Sequence, residues 1–134
     1  MTELTLQHAQ RILEKAAKEA TELGLSMTLA VVDAGGHLIA LHRMNGALLA
    51  SLESAQVKAR TAVYFGAATR FLPMDKPFTP ALLGAVSYPV AMIPGGVPIR
   101  AQNCIIGAIG VGGGSSEQDD VIAEAGAAVM ATLE

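Results

Sequence analysis

Ser26-Met-Thr-Leu-Ala-Val-Val-Asp33-Ala-Gly-Gly36-His37-Leu-Ile-Ala-Leu-His-Arg-Met44 is the stretch on which the fold turns. Residues 26–33 form a short apolar run with the length of a buried strand. Asp33-Ala34-Gly35-Gly36 is turn chemistry. His37 to Met44 then reads as a return strand, so the pair makes an antiparallel hairpin rather than one arm of a parallel βαβ unit. Period two places His37, Ile39, Leu41 and Arg43 on one face, and Leu38, Ala40, His42 and Met44 on the other. His37 and His42 then point to opposite faces and should not share a metal ion.

Outward from the hairpin, residues 5–23 carry Leu6, Ala9, Leu13, Ala16, Ala17, Ala20 and Leu23 at helical spacing. Thr5 suits the N-cap and Gly24 a left-handed stop. After the Asn45-Gly46 turn, a second helix is predicted from about Ala47 to Ala68. Its seam is Leu48, Leu52, Ala55, Ala59, Ala62 and Gly66, whose small residues allow close approach to a sheet. Four prolines, at 73, 77, 80 and 89, interrupt residues 69–89, leaving a short helix from about Thr79 to Val86. Val90–Ile93, Val97–Arg100 and Cys104–Val111 read as three further strands. Ser116 is the expected cap of a last helix, with Asp119 three residues on. The expected architecture is α+β: one five-stranded antiparallel sheet flanked by helices, in the order α-β-β-α-α-β-β-β-α, as a single domain over residues 1–134.

Composition excludes several classes. The chain has 134 residues, of which 51% are hydrophobic and only 16% charged, too apolar for intrinsic disorder. A net charge of -3, with no basic run, argues against nucleic acid. No apolar stretch approaches a membrane span, and the N-terminus lacks the pattern of a secretory signal. One cysteine, Cys104, suits a reducing compartment, so a cytoplasmic setting is expected. Cys104 itself reads as a small buried hydrophobe. Between about residues 77 and 115, Arg100 is the only Lys, Arg, Asp or Glu. Such low charge implies surface hidden in a homo-oligomer.

Few residues carry chemistry. Gly107 to Gly114 follows a strand and opens a helix, but no later strand or acidic residue completes a dinucleotide-binding unit. These glycines serve as close-packing turns or as the wall of a ligand pocket, to which Gly112, and Gly95 and Gly96 of the preceding turn, would contribute. No zinc-ligand or nucleophile-elbow spacing occurs. His37, just after a glycine turn, can lean into a cleft. Lys58 lies mid-helix between Ser54 and Thr61, a cation flanked by hydroxyls that suits a carboxylate. Arg43, on the predicted face of His37, would add a second contact.

Ala30 to Leu38, then Arg43-Met44-Asn45-Gly46-Ala47, resemble the first signature of the GlcG/HbpS family. Ser51, Ala55, Lys58-Ala59 and Thr61-Ala62 follow at that family's spacing. Gly95 to Ile99, Ile106 to Val111, Glu117 to Asp120 and Ala123 resemble its later segments. The resemblance covers nearly the whole chain, with two departures: Asn45 where Asp is commoner, and Gly112 where Ser is commoner. It implies a profilin-like fold, homo-oligomers and, in many members, haem binding or degradation; a related module ends some PduO-type proteins. On that reading His37 is the axial ligand of the haem iron, and Lys58 and Arg43 pair with the propionates. Two alternatives stand beside it. One is an isomerase-like or accessory catabolic protein using Ser54, Lys58 and Thr61 on a small carboxylate. The other is a non-catalytic assembly subunit.

Overall fold

The computed structural model describes residues 3–133. In chain order the elements are α1 (Leu6–Glu22), β1 (Thr28–Asp33), β2 (Leu38–Arg43), α2 (Ser51–Phe65), a 3-10 turn (Thr69–Phe71), α3 (Thr79–Gly84), β3 (Gly96–Ala101), β4 (Cys104–Gly112), α4 (Ser116–Ala127) and α5 (Val129–Leu133). Two antiparallel hairpins, β1–β2 and β3–β4, join through an antiparallel β1–β4 pair, giving the strand order β2-β1-β4-β3. The β3–β4 turn is Gln102-Asn103, both left-handed at φ 52° and 66°. Two successive positive φ values are what a two-residue hairpin requires.

The sheet therefore has four strands, not the expected five. The missing strand is Val90–Ile93, which joins no ladder. Pro89 and Pro94 bracket it and lack the N–H groups a ladder needs. Two of its backbone groups bond to side chains instead. The Ala91 N–H donates to Thr61 Oγ1 at 3.1 Å, and the Ile93 carbonyl accepts from Thr69 Oγ1. The segment is tethered to α2 and the 3-10 turn.

One sheet face carries the larger core. Leu29, Val31, Val97, Ile99, Ile109 and Val111 meet Ile12, Leu13 and Ala16 of α1 and Ile122 and Ala123 of α4 there. On the other face α2 lies against Val32 and Ala108 through Ala59 and Ala62. That approach depends on glycine. A Cβ on Gly110 would overlap the Ala55 carbonyl, and one on Gly96 the Lys58 carbonyl. Helix α2 is anchored at its start by Ser51, whose hydroxyl lies 2.8 Å from that of Thr28. It ends at Gly66, left-handed at φ 66°.

Several local expectations shift. The register slips between Val31 and Val32, so Ile39 has no partner on β1. Leu38 then joins Leu41 and Arg43 on the one face that Thr28, Ala30 and Val32 share. The bulge inverts the period-two phase, and the single face of His37, Ile39, Leu41 and Arg43 does not persist. The cap of α4 is Ser115, not Ser116: its hydroxyl accepts from Gln118 N and the Gln118 side chain returns the bond. Leu48 is exposed at 64%, because α2 begins only at Ser51 and leaves it outside the seam. Cys104 is exposed, since it abuts the β3–β4 turn at the sheet's rim.

Candidate functional site

The Asp33 turn builds the environment of His37. Asp33 Oδ1 accepts from the backbone N–H of Gly35 at 2.9 Å and of His37 at 3.0 Å. The same oxygen lies 3.3 Å from His37 Nδ1. Burial pushes the Asp33 carboxyl up, but the two backbone N–H groups and His37 outweigh it and hold it below its usual range. Gly35 leaves room for the ring: a Cβ there would sit 2.8 Å from His37 Cε1. With Nδ1 turned to a carboxylate, the tautomer with the proton on Nδ1 is favoured, and Nε2 becomes the open donor atom.

The imidazole is 82% exposed. It stands at the wall of a pocket of about 520 Å³ whose apolar surface comes from Leu4, Ile105 and Ile106, with Glu3 beside it. That volume lies within the range of small-molecule and cofactor sites. The end of β1 and the start of β4 frame it, Asp33 lying opposite Gly107.

Lys58 belongs to a different place. Its side chain is 3% exposed and its Nζ donates to Asp119 Oδ2 at 2.7 Å and to the Val111 carbonyl at 3.0 Å. Asp119 Oδ1 accepts from Gly114 N at 2.9 Å. Because α2 and α4 cover opposite faces, this ion pair wraps the end of the sheet and stitches the two layers together. Gly95, Gly96, Gly112 and Ser54 close around it: a Cβ on Gly95 would lie 2.9 Å from Lys58 Nζ, and one on Gly112 would overlap the Ser54 hydroxyl. The glycines thus fill space against α2. Ser54 takes up the room that a side chain at position 112 would need.

The structure groups Ser54, Lys58, Gly95, Gly96 and Gly112 at one end of the sheet and leaves His37 at the other. Arg43, paired across from Thr28, is exposed at the far end of β2 from His37, about 20 Å along the strand. Thr61 is engaged within the chain, donating to Val57 O at 2.7 Å and accepting from Ala91 N. Two partners escaped the sequence reading. Asp33 was read only as turn chemistry, although its spacing of four from His37 was available. Asp119 was read as the residue three on from a Ser116 cap, and no local signal ties it to a lysine 61 residues away. Among the described residues no group of three His, Cys, Asp or Glu is placed to hold a bare metal ion, and no helix is long and apolar enough to cross a membrane.

Comparisons with known proteins agree with this architecture. The corrinoid adenosyltransferase PduO of Citrobacter freundii is 35% identical over 130 residues, covering 95% of this chain but 39% of that protein. The chain thus spans about two-fifths of that relative's length. Protein GlcG of Escherichia coli K12 is 36% identical over 109 residues, covering 81% of this chain and 80% of that one. Among solved structures, a complex described as PduOC with haem superposes with a TM-score of 0.85 at 31% identity, covering 95% of this chain and 94% of that one. The family model for haem degrading protein HbpS-like matches residues 4–128, and with nearly its whole length matched the chain belongs to the HbpS-like family.

Proposed function

We propose that this chain binds haem in the pocket beside the first hairpin, with His37 Nε2 as the axial ligand. The observation that carries the reading is the His37–Asp33 arrangement. A carboxylate 3.3 Å from Nδ1 leaves Nε2 without a partner in the turn, on a side chain that lines a pocket of about 520 Å³ with Leu4, Ile105 and Ile106 on its wall. Histidines that ligate metals characteristically carry such a partner on the second ring nitrogen. The apolar wall suits a porphyrin face, and bound haem would supply redox-active iron. Family membership and the haem complex of PduOC support the same ligand.

The propionate contacts differ from the sequence expectation. Lys58 is closed off on Asp119, and Arg43 lies at the far end of β2. No lysine or arginine lines the His37 pocket among the described residues, so the carboxylates would face solvent at its open mouth. The alternative of a carboxylate-handling Ser54, Lys58 and Thr61 stripe finds its lysine and threonine already engaged within the fold. As part of the same proposal, the chain works as a homo-oligomer in the cytoplasm. Met74 and Phe78 stand 61% and 55% exposed, apolar surface that a second subunit would cover.

Titration with hemin tests the site. A saturable Soret shift is expected in the native chain and its loss in His37→Ala. A shift identical in both proteins would remove His37 as the ligand, and no shift in either would end the haem reading.

A further inference from the structure

A second cavity lies on the opposite edge of the sheet from β2. It runs along edge strand β3 between the 3-10 turn and the α4–α5 junction, with a volume of about 410 Å³. Its apolar surface comes from Val97, Pro98, Ala127, Ala128 and Ala131. Pro98 removes one N–H from the β3 edge, which disfavours pairing with another strand. The small alanines give the groove depth.

Two guanidinium groups line it. Arg70 is held rigidly: Nη1 donates to Asp120 at 3.1 and 3.2 Å and to Glu124 at 2.6 Å, and Cζ lies 4.5 Å from the Phe71 ring centroid. All three of these bonds use Nη1, so the Nε and Nη2 hydrogens remain for another acceptor. Arg100 also lines the groove, is exposed, and has no acidic partner among the described residues. Planar guanidinium forks match carboxylate geometry. Glu124 on the wall and Asp120 beside it balance the two cations, so a second negative charge on a ligand would meet repulsion.

We propose that this groove is a binding site for an apolar monocarboxylate, its carboxylate on Arg100 and the free edge of Arg70, and its apolar body against Val97, Pro98 and the alanines of α4 and α5. The site is separate from the His37 pocket and shares no residue with it.

The test uses octanoate as probe, octanol as its neutral counterpart, and backbone amide shifts as the readout. Octanoate should bind saturably and shift Val97, Ala127, Ala128 and Ala131. Octanol should bind at least tenfold more weakly. Arg100→Gln should weaken octanoate at least tenfold, and Ala128→Phe, which fills the groove from an exposed position, should abolish its shifts. Hemin titration of both variants checks that they remain folded and should match the native chain if hemin binds. Absence of octanoate shifts at these amides, equal binding of octanol, or binding unchanged in either variant overturns the proposal. So do groove shifts that follow protein concentration without probe, which would assign the groove to a second copy of the chain.

Discussion

The Lys58 ammonium is 3% exposed, and its attachment to Asp119 and Val111 spans the end of the sheet. Removing one member of a buried pair strands the other charge without its partner, which typically costs about 3–5 kcal/mol. Lys58→Met is therefore expected to lower stability by about that much. Lys58→Met combined with Asp119→Asn should recover much of the loss, because the asparagine carbonyl can still accept from Gly114 N. Urea unfolding of the two variants checks this; a double variant no more stable than the single one would contradict the pair's role. Of the residues singled out in the sequence, Lys58 was legible as unusual because a lone cation sat between hydroxyls on a small-residue helix. Its partner was not legible, because nothing in the chain between them links two positions 61 residues apart.

At the scale of elements, α2 and its glycines decide how closely the layers pack. Gly110→Ala is expected to destabilise by about 1–3 kcal/mol or more, since the new methyl must displace the Ala55 backbone. Gly84→Ala, at the end of α3 with nothing within 4 Å of the added Cβ, should be neutral or raise stability by about 0.4–1 kcal/mol. Thermal unfolding of the two proteins compares them directly, and equal effects would rule out the packing argument. Ser115→Ala removes the α4 cap and should cost about 1 kcal/mol, whereas Ser116→Ala should cost little. Elements with strong local signals were legible: the Thr5 cap of α1, the middle of its stripe at Ala9, Leu13, Ala16 and Ala20, and the Asp33 turn, whereas Leu6 and Leu23 of that stripe stand exposed and Ile12 joins the buried face instead. Val90–Ile93 was misread because an apolar run between prolines has the composition of a strand, while its hydrogen-bond partners are threonines on α2 and the 3-10 turn.

Across the whole molecule, protection should be uneven. Central strands β1 and β4 are paired on both sides, whereas residues 73–94 contain the six-residue α3, local turn bonds and a few side-chain tethers. Native-state hydrogen exchange should show β1 and β4 amides exchanging last and those of residues 74–90 first; similar rates for the two sets would contradict this. The low charge of residues 77–115 now divides into two parts. Strands β3 and β4 are mostly buried, while Phe78, Leu83 and Ile93 remain exposed at 55%, 41% and 39%. The sequence by itself determined the α+β class, the two hairpins, the helices and the histidine beside a glycine turn, because periodicity and turn chemistry act over a few residues. Only the tertiary structure decided that the sheet has four strands, that Lys58 is closed on Asp119, and that Leu38 comes to share a face with Leu41 and Arg43. Those outcomes depend on which distant backbone and side-chain groups satisfy one another once both faces of the sheet are covered, and on one bulge that reverses the facing of a strand.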